Sequence, residues 1–189
     1  MKITKLSIDG AWSTYSEIYK DERGENKEWF KSSQNLKQTG LYFDVAQSNY
    51  TKSKKGVIRG IHYSLNPNSQ WKWISCLKGS IFDVLVDVRL NSPTFGQHES
   101  IILNESNGMG VLIQASLGHA FQSLSEGSIV VYNLSTEYEP EFEHSINPLD
   151  TSINVNWPLD NLILSEKDSQ GDSLESKTKK KELPIHRLL

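Results

Sequence analysis

The sequence predicts an all-β fold, a sandwich or jelly-roll barrel with a few short helices, on three observations. Short runs rich in β-branched and aromatic residues, punctuated by Gly, Pro, Asn and Ser, follow one another from residue 40 to 165. The run Ser80 to Arg89 alternates with period two: Phe82, Val84, Val86 and Val88 are apolar, while the odd positions include Asp83 and Asp87. Helical periodicity is scarce, and neither an internal repeat nor a heptad pattern is present.

Taken in order, the first expected element is a short helix over Asn26–Ser33. Strands are expected over Leu41–Ser48, Gly56–Ser64, Trp71–Leu77 and Ser80–Arg89, the last giving one core face and one mixed face. The loop Asn91-Ser-Pro-Thr-Phe-Gly96 ends that strand with turn chemistry. Further strands are expected over Glu99–Leu103, Gly110–Gln114, Ala120–Leu124 and Ile129–Leu134, while Asn161–Asp168 is ambiguous. Glu126-Gly127 reads as a two-residue hairpin loop, because Gly tolerates the positive φ such turns demand. That register sets Phe121 opposite Tyr132 and makes His119 and Tyr132 diagonal neighbours on one face. A second hairpin centred on Pro67, in the turn Asn66-Pro67-Asn68-Ser69, sets His62 across from Lys72. Residues 1–168 are read as a single domain, and 169–189 as a polar, lysine-rich tail that is solvated or a frayed terminal helix.

Composition bounds the function. A chain of 189 residues with 37% hydrophobic and 10% aromatic side chains can bury one sizeable core. The net charge of −3, from 20 basic and 23 acidic groups, gives no footprint for nucleic acid. A small anion remains compatible, since a few placed arginines suffice to bind phosphate. The one cysteine, Cys76, excludes an intrachain disulfide and a cysteine-based metal cluster. No run approaches the ~18 apolar residues of a membrane span, and Met1–Gly10 lacks the apolar region of a signal peptide. A cytoplasmic protein is expected.

The titratable residues have ordinary readings as well as functional ones. A single strand histidine is more often structural or exposed than catalytic, Tyr132 could be a core tyrosine, and Lys72 could be an edge charge that discourages aggregation. Strand parity puts Arg59 and His62 on opposite faces unless Gly60 introduces a bulge.

The string Gly56-Val-Ile-Arg-Gly-Ile-His-Tyr63 closely resembles the dTDP-4-dehydrorhamnose 3,5-epimerase family, and further segments follow in that family's order. They are Asp21-Glu-Arg-Gly24, Glu28, Gln47-Ser-Asn49, Lys72, Gly79 to Arg89, Ser92-Pro-Thr-Phe-Gly96, Gly118-His-Ala-Phe121, Tyr132, Tyr138-Glu-Pro140, Glu143 and Leu164-Ser-Glu-Lys-Asp168. The resemblance spans residues 15–168. It implies a cupin-type jelly roll (a double-stranded β-helix), a homodimer, and a dTDP-linked 4-keto-6-deoxyhexose as substrate.

The same resemblance assigns roles. His62 is the base, oriented by Asp168; Tyr132 is the acid on the opposite face of the sugar; Lys72 stabilises the enolate oxygen at C4. Arg23, Arg59 and Lys167 bind the nucleotide and its diphosphate, and Glu28, Gln47, Asn49, His119, Tyr138 and Glu143 are further substrate-binding positions. Neither a metal nor an organic cofactor is implied, because the substrate's ketone is itself the electron sink. Three segments depart from the family pattern: Glu25-Asn26 after Gly24, Gln114-Ala-Ser-Leu-Gly118, and Ile146-Asn-Pro-Leu-Asp150. The last, with Gly118-His-Ala-Phe121, looks more like the branch that serves unusual deoxysugars, so inversion at C3, at C5 or at both stays open.

Three other readings compete. A metal-dependent cupin would use His62 and His119, but position 64 is Ser and Lys72 would repel a cation. A non-catalytic sugar-nucleotide binder has no need of both His62 and Tyr132. A 3,4-ketoisomerase would need a base and a differently placed acid.

Overall fold

The computed structural model describes residues 1–40, 43–67 and 70–186. Among them the chain forms β1 (Lys2–Lys5), β2 (Ala11–Tyr15), β3 (Ile18–Asp21), β4 (Gly24–Lys27), α1 (Ser32–Thr39), β5 (Gln47–Ser53), β6 (Ile58–Ser64), β7 (Lys72–Lys78) and β8 (Ser80–Val86). There follow β9 (His98–Asn104), β10 (Met109–Ile113), β11 (Gly118–Ser123), β12 (Ser128–Leu134), β13 (Glu143–Ser145), α2 (Glu166–Ser169) and α3 (Leu174–Lys180). A six-stranded sheet, ordered β1-β2-β10-β7-β12-β5, packs on a five-stranded sheet, ordered β13-β6-β11-β8-β9, and β3-β4 forms a separate hairpin. Within the sheets every strand pairing is antiparallel. From β5 to β8 and again from β10 to β13 the chain alternates between the two sheets, which is the jelly-roll arrangement expected.

Alternation in the sequence becomes a division between two cores. Between the sheets, Ile74, Cys76, Val111, Ile113 and Val130 of the larger meet Ile81, Leu85, Leu103 and Phe121 of the smaller. The other face of β8 presents Val84 and Val86 to a second core, completed by Ile61, Tyr63 and Ala120 and capped by Ile146, Ile153, Leu174 and Leu183. Both faces of β8 are therefore buried, rather than one core face and one mixed face. An aromatic group around Trp12, Phe43, Trp73 and Leu112 covers the outer face of the larger sheet.

The structure corrects both expected hairpins. β11 and β12 lie in different sheets, β11 pairing with β6 and β8, and β12 with β5 and β7. The corner at Glu126-Gly127 is a crossing between sheets, held by the hydroxyls of Ser123, Ser125 and Ser128. Phe121 thus pairs with Arg59 and Asp83 instead of Tyr132. β6 and β7 are likewise in opposite sheets, so His62 is not opposite Lys72: it pairs with His119 and Ser145, and Lys72 with Ile113 and Leu134. Residues 68–69 of the expected turn lie outside the described residues, as do 41–42 of the strand expected over Leu41–Ser48. The strand found there is β5, beginning at Gln47.

The helix expected over Asn26–Ser33 is replaced by β4 and the start of α1. Pairing with β3 decides it: Gly24 takes a φ of +127° at the end of that tight hairpin. β1 to β4 and β13 have no counterpart among the expected strands; all are short, and all but the half-apolar β3 and the buried β2 are mostly polar. The C-terminal segment is not a solvated tail. α3 buries Leu174, the chain beyond it buries Leu183, and Tyr63 donates its hydroxyl hydrogen bond to the Glu182 carbonyl at 2.8 Å. The Leu90 amide donates to the Pro184 carbonyl and the His186 amide donates to the Leu90 carbonyl, so residues 174–186 pack against the sheets.

Candidate active site

Cross-strand pairing gathers the site between the sheets. In the smaller sheet His62 sits directly across from His119, and Arg59 from Phe121. In the larger sheet Tyr132 lies between Asn49 and Ile74, and Leu134 lies beside Lys72. These side chains line a cavity of about 500 Å³, closed on one side by Ile163, Leu164, Ser165, Lys167 and Asp168. That closing segment runs as a strap: Ile163 exchanges backbone bonds with Gly56 and Ile58.

Arg59 and His62 share this cavity because of Gly60. The registers His119↔His62 and Phe121↔Arg59 place one extra β6 residue between the pairs, which is a bulge. Gly60 has a φ of +133°, and a Cβ there would come within 2.2 Å of the Ala120 Cβ. Only glycine fits.

His62 Nε2 lies 2.7 Å from Asp168 Oδ1. The Asp168 side chain is 5% accessible, whereas that of His62 is 37% accessible, so the carboxylate is shielded behind an imidazole that meets the cavity. Ser165 caps α2, its hydroxyl accepting from the Asp168 amide. Burial alone would raise the Asp168 pKa, but hydrogen bonds from His62, from Ser165 and from the Gly60 amide together bring it below the usual carboxylate value. An ionised Asp168 can only accept, so His62 Nε2 carries the proton and the Nδ1 lone pair is the basic site.

A second imidazole–carboxylate pair stands beside the first. His119 Nε2 is 2.8 Å from Asp83 Oδ2, and the other Asp83 oxygen is buried without a hydrogen-bond partner among the described residues. The sequence signal for Asp83 was an acid inside an apolar strand, although its partner was not legible.

Across the cavity, burial raises the Tyr132 pKa, partly opposed by the Arg59 charge, so the phenol stays protonated well above neutral pH. Burial lowers the Lys72 pKa, and the Glu143 carboxylate works against that shift. Glu143 Oε1 is buried with no hydrogen-bond partner among the described residues. Arg59 donates to the Ser53 hydroxyl at 3.2 Å. Gln47 lies just behind the wall: it donates to Asn49 Oδ1 at 3.0 Å and accepts from the Tyr138 amide at 2.7 Å, bracing two lining residues.

Thus His62, Lys72, Tyr132, Asp168, Asn49, Arg59, His119, Tyr138, Glu143 and Lys167 meet at one cavity, with Gln47 supporting it. Arg23 and Glu28 are not among its lining. Arg23 turns the β3–β4 hairpin, its side chain 89% accessible and paired with Asp21, and Glu28 pairs with Lys31. Both lie outside the cavity of their own chain. Among the described residues no group of three or more His, Cys, Asp or Glu side chains is gathered as a metal ion would require, and no helix is long and apolar enough to cross a membrane.

Comparison with known proteins adds the remaining observations. The family model described as dTDP-4-dehydrorhamnose 3,5-epimerase matches residues 5–176. A dTDP-4-dehydrorhamnose 3,5-epimerase of Mycolicibacterium smegmatis is 40% identical over 92% of this chain and 86% of its own. A dTDP-4-dehydro-6-deoxyglucose 3-epimerase of Streptomyces sp is 41% identical over 96% of this chain and 93% of its own. The crystal structure of a 3'-monoepimerase from Streptomyces bikiniensis, in complex with dTDP-quinovose, superposes with a TM-score of 0.93 at 40% identity, covering 96% of this chain and 92% of that one.

Proposed function

This chain belongs to the dTDP-4-dehydrorhamnose 3,5-epimerase family, and from that premise we propose that it epimerises dTDP-4-dehydro-6-deoxy-D-glucose beside its C4 ketone. The step is cofactor-free proton transfer in deoxysugar biosynthesis, within the cytoplasm. The observation that carries this reading is the 2.7 Å contact between His62 and a shielded Asp168 on the wall that Tyr132 and Lys72 face.

A ketone acidifies the hydrogens on C3 and C5. His62 takes one of them through Nδ1, and Asp168 holds the ring in the required tautomer and stabilises the imidazolium. The C–H electron pair moves into the enolate, whose negative C4 oxygen the Lys72 ammonium stabilises. Tyr132, its phenol kept protonated by burial, returns a proton to the carbon from the opposite face. Arg59 and Lys167 take the diphosphate, while Asn49, Tyr138, Glu143 and His119 hold the sugar and nucleoside and Gln47 braces Asn49 and Tyr138 from behind.

Arg23 and Glu28 are exposed on and beside the β3–β4 hairpin and line no part of their own chain's cavity, free to serve a cavity of another copy. We therefore read the protein as a homodimer in which each hairpin completes its partner's site. Light scattering tests the dimer. Mixing inactive His62→Ala with inactive Arg23→Ala chains tests the exchange, since one intact site then forms and activity returns.

Relatives that invert one carbon and relatives that invert two are equally similar, at 41% and 40% identity. Proton NMR of the product from dTDP-4-dehydro-6-deoxy-D-glucose decides between them and tests the function as a whole. Inverted C3, alone or with C5, supports the reading. A 3-keto product indicates a 3,4-ketoisomerase instead, and unchanged substrate contradicts catalysis on this sugar.

A further inference from the structure

The strand bearing His62 and the helix bearing Asp168 are far apart in sequence; beside the strap at Ile163 and the Gly60 amide's bond to Asp168, one further short segment joins them. β13 pairs with β6 so that Ser145 lies opposite His62. One residue on, Ile146 exchanges both backbone bonds with Ile61, at 3.0 and 3.1 Å. The next residue, Asn147, turns to the other element. Its amide donates to the Asp172 carbonyl at 3.0 Å, and its side-chain Nδ2 donates to the Ser169 carbonyl at the end of α2, also at 3.0 Å. Asp150, three residues further, accepts from the Leu174 amide at the start of α3.

The approach is close. A Cβ on Gly171 would stand 2.9 Å from the Asn147 nitrogen and 3.2 Å from the Asp168 carbonyl oxygen, so the turn after α2 seats against Asn147 only because position 171 is glycine. Asn147 belongs to the Ile146-Asn-Pro-Leu-Asp150 segment that follows β13.

We propose that Asn147 is a positioning residue for the His62–Asp168 pair: by holding the end of α2 to the strand beside β6, it sets the carboxylate against the imidazole. It touches neither the cavity nor the reacting atoms, and its effect passes through Asp168. The proposal rests on the reading of His62 and Asp168 given above.

Asn147→Asp isolates the contact. It keeps the shape and the acceptor for the Leu149 amide, but it replaces the donor to Ser169 with an oxygen that repels that carbonyl. A misplacement near 1 Å can cost about a hundredfold in rate, so a partial loosening is expected to slow solvent deuterium exchange roughly tenfold, with KM nearly unchanged. A double-mutant cycle separates positioning from general destabilisation. Asp168→Asn alone is expected to slow exchange on the order of a hundredfold, and adding Asn147→Asp should slow it no further. Gly171→Ala, which pushes the same turn away, should behave likewise and serves if Asn147→Asp does not fold. Wild-type exchange in both Asn147→Asp and Gly171→Ala, or losses that multiply with that of Asp168→Asn, would overturn the proposal. Wild-type exchange in Asp168→Asn would instead overturn the underlying reading, and the positioning role with it.

Discussion

Arg59 and His62, three positions apart on β6, face the same cavity because the bulge at Gly60 adds one β6 residue between them, opposite partners Phe121 and His119 that are only two apart. In a regular strand they would point to opposite faces. The proposed mechanism needs a diphosphate ligand and a base on one side, which makes the bulge a condition of that mechanism. Gly60→Ala is expected to remove both activity and fold stability, since the added methyl meets Ala120 at 2.2 Å in a backbone conformation that side chains avoid. Thermal unfolding should show a loss above about 2 kcal/mol. A variant of wild-type stability and activity would contradict the account of the bulge.

Tyr132→Phe keeps the ring and removes the proton. Exchange of the substrate hydrogens should survive better than inversion, because an enolate still forms and is reprotonated from the His62 face. The ratio of deuterium incorporation to product formation, read by NMR, should rise at least tenfold, on the order of a general acid's contribution. Equal loss of both would argue against an acid on the opposite face.

Lys72 gives a pH dependence whose sign follows from its surroundings. Burial lowers its pKa, so the ammonium is lost at a lower pH than for an exposed lysine near ~10.4. The rate should therefore fall on the alkaline side before an exposed lysine would titrate. Lys72→Gln should lower kcat roughly 10²- to 10³-fold, as for loss of an oxyanion donor, and abolish that alkaline limb. Persistence of the same limb in the variant would assign it to another group.

Much of this was legible in the sequence, and the limits have physical causes. Period two in Ser80–Arg89 told correctly which residues share a face, but it could not tell that both faces are covered, because the second cover comes from residues beyond 145. The same limit defeated the hairpins. Alternation gives a face and not a sheet, and a jelly roll sends neighbouring strands to opposite sheets, so His62 and Lys72 meet across the cavity rather than across a ladder. The resemblance named the residues that converge, yet not the route by which Arg23 and Glu28 would join them. Asn147 was visible only as a departure from a pattern, with nothing in its surroundings to show what it holds.

The C-terminal segment reads as polar because Ser169 to Lys181 carries four lysines against one leucine, but Leu174 and Leu183 close the second core and the Lys177 ammonium sits 2.7 Å from Glu182. Leu174→Ala is expected to destabilise the protein by about 2–5 kcal/mol, the range for a buried leucine, measured as a shift in the denaturant midpoint. A solvated tail would give no change.

The most direct test of the central claim is solvent deuterium incorporation at C3 and C5 of dTDP-4-dehydro-6-deoxy-D-glucose in heavy water, comparing the wild type with His62→Ala. Incorporation by the wild type at the inverted carbons, and none above background in the variant, is the predicted result. Exchange by folded His62→Ala at the wild-type rate would contradict His62 as the base.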